Sequence, residues 1–437
     1  MDPATIGLLG MALMLLLIFI HVPIGVAMGV SGVLTFGLIR GSFGPALSLF
    51  GTETVSKVAS LELSVVPLFL LMGAFATFGG LSADLYRIAY AFIGHVRGGL
   101  AIATIGGCAG FGAICGSSIA TATTMTRVAL PEMMNRKYSE RLATGSIAAG
   151  GTLGMLIPPS IILVLYGVLT EQFVKTLFVA ALIPAVLAVG LHIVTIMILV
   201  RRNPALAPEG DVLPWSEGWK ALKNGWAAVI LMIVVTGGIY AGIFSVNESA
   251  AVGAFLAFVI AVARRRLSWR GFWAALRDTA ATTSMIYLMI IGASIFTYAV
   301  TLSGLPEIIV NGIRDTGLPG IWVVILLMVM YLILGAIFDT ISSMVITIPF
   351  VFPLILSYGY DPVWWGILTV MVIEIGMITP PIGMNVFVMK AMLPDTKLGT
   401  IYAGVGPFIL ADVIRLAILI AFPALSLMLV DFWDLPR

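Results

Sequence analysis

Gly112-Ala113-Ile114 leads to Pro158-Pro159, and Gly335-Ala336-Ile337 leads to Pro380-Pro381. The spacings are 158 − 112 = 46 and 380 − 335 = 45 residues, so one architectural unit occurs twice. Both copies lie in apolar sequence, yet both carry helix breakers and small hydroxyl residues that a lipid-facing helix would not hold. The pattern points to the binding site of a membrane transporter.

Composition identifies the solvent around these units. Of 437 residues, 60% are hydrophobic and 10% charged, which describes a chain whose surface mostly faces lipid. A net charge of +2 is too small to suggest nucleic acid as a partner. Cys108 and Cys115 sit seven apart in one apolar segment and read as packing residues without redox chemistry. Asp2 stands where a secretory signal would be basic, so residues 4–20 are expected to form the first span. Further spans are expected at 24–39, 64–79, 177–200, 226–244, 249–264, 279–303 and 402–430. Segments 49–61, 83–95 and 305–313 have mixed faces and read as interfacial or arm helices.

Two apolar regions are interrupted near their midpoints: 99–130 by Gly116-Ser117-Ser118, and 321–356 by Asp339-Thr340-Ile341-Ser342-Ser343. Irregular backbone at membrane depth needs protein or a polar cavity to satisfy it, so each region is read as a re-entrant helical hairpin. The segments that follow, 141–167 and 363–392, carry Pro-Pro in their middles. Proline removes a donor and clashes with the preceding turn, so each should be a broken helix. The fold predicted is all-α and polytopic, with a first repeat over 1–200, a cytoplasmic connector over 201–225 and a second repeat over 226–437.

Counting each hairpin as entering and leaving on one face gives five crossings per half, and an odd number inverts the second copy. The charges agree. With the N-terminus outside, the inner loops hold Arg87, Arg97, Arg136, Lys137, Arg141, Arg201, Arg202, Lys220, Lys223, Arg264, Arg265, Arg266, Arg270, Arg277 and Lys397. The outer loops hold Arg40, Lys57, Lys175, Arg314 and Arg437, so both termini are expected in the periplasm. The nine tryptophans, 215, 219, 226, 269, 273, 322, 364, 365 and 433, fall near predicted interfaces as an aromatic belt.

Gly-Ala-Ile-Cys-Gly-Ser-Ser at 112–118, Gly-Met-Leu-Ile-Pro-Pro-Ser at 154–160 and Gly-Met-Ile-Thr-Pro-Pro-Ile-Gly-Met-Asn at 376–385 resemble the large membrane subunit of TRAP transporters, the DctM-like family. The resemblance covers essentially the whole chain. It implies an elevator-type transporter of the ion transporter superfamily in the bacterial inner membrane. It also implies sodium-coupled uptake of an organic acid such as a C4-dicarboxylate or sialic acid. The implied partners are a small four-helix membrane subunit, expected as a separate chain, and a periplasmic substrate-binding protein. No organic cofactor and no transition metal are expected.

Sodium is a hard cation and prefers oxygen. One sodium site is therefore expected at Ser117 and Ser118 with the backbone at Gly112, Gly154 and Pro158. A second is expected at Asp339, Thr340, Ser343, Thr379 and Pro380. Substrate contacts are expected from Ser117, Ser160, Asn385 and Arg127. Asp339 has a helix cap as its alternative role, and Glu374 divides between facing the site and bonding the scaffold. Snorkelling is the alternative for Arg127 and Lys390. Asp412 and Arg415 read as an internal ion pair at helical spacing, and His21 and His192 lack neighbours for a metal. A self-sufficient sodium/dicarboxylate symporter is the alternative function. An intramembrane enzyme built on Asp339 and Glu374 is weakened by the lack of any nucleophile, metal or phosphate motif.

Overall fold

The computed structural model describes residues 1–208, 210 and 214–436, and no strand occurs among them. Arg437, counted above with the outer charges, lies outside the described residues. The first repeat runs α1 (Pro3–Phe19), α2 (Ile24–Arg40), α3 (Phe43–Val58), α4 (Val65–Phe78), α5 (Leu81–Ile93), α6 (Gly99–Cys115), α7 (Ser118–Asn135), α8 (Glu140–Leu156), α9 (Ile161–Thr170) and α10 (Val174–Arg202). A connector helix follows, α11 (Trp215–Asn224). The second repeat begins with α12 (Trp226–Met232), which passes through a π-helical turn, Ile233–Gly237, into α13 (Gly238–Tyr240). It continues with α14 (Val246–Ala263), α15 (Trp269–Leu302), α16 (Leu305–Asp315), α17 (Gly320–Ile337), α18 (Thr340–Ser357), α19 (Pro362–Gly376), α20 (Met384–Met392), α21 (Leu398–Ala421) and α22 (Ala424–Phe432).

The helices recur in the same order at a nearly constant shift: 246 − 24 = 222, 340 − 118 = 222, 362 − 140 = 222 and 384 − 161 = 223. Both hairpins are present, α6–α7 and α17–α18, each joined by two residues. Both Pro-Pro segments are broken, into α8 and α9 and into α19 and α20. The first half of each broken helix is sunk in protein, with residues 142–156 of α8 and 363–376 of α19 all buried. They fill that space differently. Gly145 of α8 meets the Gly404 backbone, and Gly150 and Gly151 make room for Cys108 and Ala122, whereas α19 uses Trp364, Trp365 and a run of Ile and Val.

Three sequence expectations change. The span expected at 279–303 is part of α15, 34 residues and so about 51 Å long at 1.5 Å per residue. It takes in Arg270 and Arg277, read above as loop residues, and exceeds the ~30 Å hydrocarbon core. Its counterpart is two helices, α3 and α4, bent by 57° across the short turn Glu62–Ser64. The span expected at 402–430 is two helices, because Pro423 cannot continue α21. Trp364 and Trp365 do not belong to a lipid-facing belt. Both are 2% exposed, and the Trp364 indole N–H donates to the Leu419 carbonyl at 3.0 Å, since α19 is enclosed on all sides. The other seven tryptophans are exposed.

Candidate functional site

Each hairpin turns within two residues, by different chemistry. In the first, Gly116 takes a positive φ of 60°, where a side chain would be strained, and Ser117 caps α7 by accepting the Ala120 N–H at 3.4 Å. In the second, Phe338 and Asp339 are extended, so no glycine is required. Asp339 caps α18 with one carboxylate oxygen on the N–H groups of Ile341 at 3.1 Å and Ser342 at 3.2 Å, and its other oxygen accepts the Ser342 hydroxyl. The cap anticipated as the alternative is therefore formed. The Ser343 hydroxyl donates to the Asp339 carbonyl at 3.0 Å, which gathers hard oxygen atoms at the tip.

The proline pairs act on the backbone four residues upstream. Pro158 and Pro159 offer no N–H to the carbonyls of Gly154 and Met155, and Pro380 and Pro381 offer none to Gly376 and Met377. Local groups compensate differently. The Ser160 hydroxyl donates to the Met155 carbonyl and its oxygen caps α9 through the Leu163 N–H at 3.3 Å. In the second break the Asn385 N–H donates to the Met377 carbonyl at 3.1 Å, and Thr379 N–H to Gly376 at 2.9 Å. The peptide bonds Pro158-Pro159 and Pro380-Pro381 are both cis.

Hairpin and break meet at glycine in both repeats. A Cβ on Gly112 would sit 2.4 Å from the Gly154 Cα, and one on Gly376 would sit 2.6 Å from the Gly335 carbonyl carbon. The repeats then interlock. Asn385 Nδ2 donates to the Ser118 hydroxyl at 2.5 Å, joining the second break to the first tip. The Thr340 hydroxyl donates to the sulfurs of Met377 at 3.0 Å and Met155 at 3.4 Å, joining the second tip to both breaks. Gly383 N–H donates to Ala336 at 3.1 Å. Four helix N-termini, of α7, α9, α18 and α20, start in this network, and four C-termini, of α6, α8, α17 and α19, end in it. The former suit an anion and the latter a cation.

Of the expected residues, Ser117, Ser118, Gly112, Gly154, Pro158, Ser160, Asp339, Thr340, Ser343, Thr379, Pro380 and Asn385 all belong to these tips and breaks. The donor set is hydroxyl, carbonyl, amide and carboxylate oxygen, which fits a hard cation. Asn385 Oδ1 is buried without a hydrogen-bond partner, an acceptor suited to a cation or a substrate hydroxyl. Arg127 is not brought to the tip. It lies nine residues along α7 from Ser118, about 14 Å by helical rise, and is exposed. Lys390 instead caps the end of α20, with Nζ on the carbonyls of Pro394 at 2.7 Å and Thr396 at 2.8 Å.

Sequence reasoning missed two things. Met155 and Met377 hold the Thr340 hydroxyl, and their signal was the shared Gly-Met opening of both Pro-Pro motifs. A cleft of about 370 Å³ also runs from Cys115, Ser117 and Ala120 at the first tip to Gly73 and Thr77 of α4 and to Asp278, Thr279 and Thr282 of α15. No sequence motif links those three elements. A larger cavity of about 450 Å³, lined by residues such as Glu62, Glu171 and Lys175, touches neither tip nor break.

The geometry has known relatives. The family described as "Tripartite ATP-independent periplasmic transporter, DctM component" matches residues 11–425. The C4-dicarboxylate TRAP transporter large permease protein DctM of Pseudomonas aeruginosa is 35% identical over 406 residues, 92% of this chain and 93% of that one. The sialic acid TRAP transporter large permease protein SiaM of Vibrio cholerae is 27% identical over 419 residues, covering 95% and 96%. The crystal structure of the Alcanivorax borkumensis YdaH transporter, which has an unusual topology, superposes with a TM-score of 0.60 at 15% identity, over 88% of this chain and 90% of that one. This chain is a transporter permease and not an enzyme, and it belongs to the DctM component family of tripartite ATP-independent periplasmic transporters.

Proposed function

We propose that the chain imports an organic acid across the bacterial inner membrane, coupled to sodium, by moving its hairpins and broken helices as one unit against the remaining helices. The observation that carries this reading is the interlocked network of the two tips and two breaks, Asn385 to Ser118 and Thr340 to Met155 and Met377. It brings helix N-termini that favour a carboxylate beside helix C-termini and hydroxyls that favour a cation. Sodium would be held by Ser117, Ser118 and the backbone of Gly112, Gly154 and Pro158, and by Asp339, Thr340, Ser343, Thr379 and Pro380. Ser117, Ser160 and Asn385 would contact substrate.

The cleft between the first tip and α4 and α15 supports movement of a unit past a fixed frame, because it separates Ser117 from helices outside the hairpin. The positive-inside rule puts the α15 end carrying Arg270 and Arg277 in the cytoplasm, so this cleft would be an inner exit. A C4-dicarboxylate or sialic acid suits the site, as the relatives' names suggest. A separate small membrane subunit and a periplasmic binding protein would complete the transporter. The test is uptake into proteoliposomes. Transport should require an inward sodium gradient, the small subunit and the loaded binding protein; uptake by this chain alone would overturn the reading.

A further inference from the structure

Away from the tips, two arginines line one cavity of about 220 Å³ where α8, α10 and α21 meet. Arg141 comes from the start of α8 and Arg202 from the last turn of α10, with Asn203, Leu199, Gly404 and Pro407 among the other walls. The helices α8 and α21 touch at backbone level here, since a Cβ on Gly404 would sit 2.1 Å from the Arg141 carbonyl oxygen. That contact lets Arg141 Nε donate to the Ala403 carbonyl at 2.8 Å, which spends one of the five guanidinium donors. Arg202 has no partner among the described residues.

Nothing in the cavity offsets the two positive charges, because no carboxylate among the described residues lines it. The three helices carry only two acids, Glu140 and Asp412, and both are engaged elsewhere. Glu140 accepts the Thr396 hydroxyl, and Asp412 is held by Arg415 Nη2 at 3.0 Å and by His192 Nε2 at 3.1 Å. Nor does the repeat explain the pair. At the shift of 222 residues, Arg141 corresponds to Val363 and Arg202 to Ala424, so the opposite end of the fold has no equivalent. By the positive-inside rule the arginine end faces the cytoplasm.

The helix faces that form the cavity continue into the membrane as apolar surface. On α10, Ile198 and Val194 lie four and eight residues before Arg202; on α21, which packs against α10, Leu410 and Ile414 lie three and seven after Pro407. All four side chains are exposed. We infer that this is a binding site for one anionic phospholipid of the inner leaflet, its phosphate between Arg141 and Arg202 and its acyl chains along the exposed faces of α10 and α21.

Guanidinium groups match phosphate oxygens in geometry as well as charge, and basic pockets between helices on the cytoplasmic side suit phosphate headgroups. A free phosphate has the same chemistry but would leave the apolar faces unused. A zwitterionic headgroup would bring an ammonium to two cations and no carboxylate. The volume also argues for a headgroup over a whole solute, being below the ~300–1,000 Å³ of pockets that enclose drug-sized ligands. The site is separate from the tips and breaks and does not depend on sodium coupling.

The test titrates lipid into the purified full chain in detergent and reads the thermal midpoint. Phosphatidylglycerol should raise the midpoint saturably, while phosphatidylcholine and inorganic phosphate should not. Arg202→Gln breaks no bond within the described residues, so it should fold, and it should need at least about fivefold more phosphatidylglycerol for half the shift, the worth of one basic residue at an anionic surface. Arg201→Gln removes a charge from the same turn but not from the cavity, and should leave the titration unchanged. Native mass spectrometry should find one phosphatidylglycerol retained on the wild type and depleted on Arg202→Gln. Equal losses in the two variants would overturn the inference by showing a diffuse charge effect, and so would a wild type indifferent to phosphatidylglycerol. Stabilisation by inorganic phosphate alone would overturn the lipid assignment, as would phosphatidylcholine acting equally well.

Discussion

The break at Pro158-Pro159 is buried, whereas its equivalent at Pro380-Pro381 is exposed. The same backbone device sits in both places, so the difference lies in what covers it. Over the first break lies its own hairpin: a Cβ on Gly116 would approach the Pro159 carbonyl oxygen to 3.1 Å. Beside the second stands α21, whose Tyr402 hydroxyl bonds with the Ile382 carbonyl at 2.6 Å and leaves the prolines open. The first break is therefore covered by its own hairpin, and the second is not. Unequal exposure of the two inverted copies is what the proposed movement of one unit against the other helices would call for.

The largest effect should come from separating tip from break. Gly112→Val and Gly335→Val each force a branched side chain against backbone, Gly154 in one case and Ile373 in the other. Overpacking of this kind costs about 1–3 kcal/mol. Both variants should melt several degrees lower and lose nearly all uptake, equally in the two repeats. Normal uptake by either one would break the equivalence.

Exposure can be tested next by cysteine labelling. Ser160→Cys and Ile382→Cys occupy equivalent places after the two breaks, with Ser160 fully buried and Ile382 half-buried. In a background without Cys108 and Cys115, a maleimide should modify the residue-160 cysteine about ten times more slowly, since thiol reactivity follows access. Equal rates would mean that the two breaks interchange exposure rapidly.

The repeat, the hairpins and the breaks were legible because each is written in local chemistry. Prolines interrupt hydrogen bonding, glycines mark close approach, and hydroxyls in apolar sequence mark an interior. The continuous α15 was not legible. Residues 269–278 look like a basic loop, and only packing of α15 against α2, α3 and α4 reveals one long helix. Nor was the burial of Trp364 and Trp365, because tryptophan near a helix end reads the same whether lipid or protein lies beyond it. The partnership of His192 with Asp412 joins residues 220 positions apart and leaves no periodic trace.

The two caps offer a smaller contrast. Ser117→Ala removes the first cap and should cost about 1 kcal/mol. Asn is nearly as good a cap as Asp, so Asp339→Asn should leave the unfolding free energy within about 0.5 kcal/mol of the wild type. It should nevertheless raise the sodium concentration needed for half-maximal uptake, because one anionic oxygen is lost. Unchanged sodium dependence would make Asp339 a cap alone.

The most specific effect concerns a hydrogen bond that ties the second break to the first tip. Asn385 Nδ2 spends a donor on Ser118, which fixes the amide so that Oδ1 faces no protein partner. If that arrangement is structural only, Ser118→Ala and Asn385→Ala should couple by about 0.5–1.5 kcal/mol in a thermal double-mutant cycle, with or without sodium. If the pair also organises a cation site, sodium should increase the coupling, since the ion stabilises only the protein in which both residues hold it. A cycle with no coupling in either condition would mean that the first tip and second break meet without depending on this bond, leaving the Thr340 contacts to Met155 and Met377 as the link between tips and breaks.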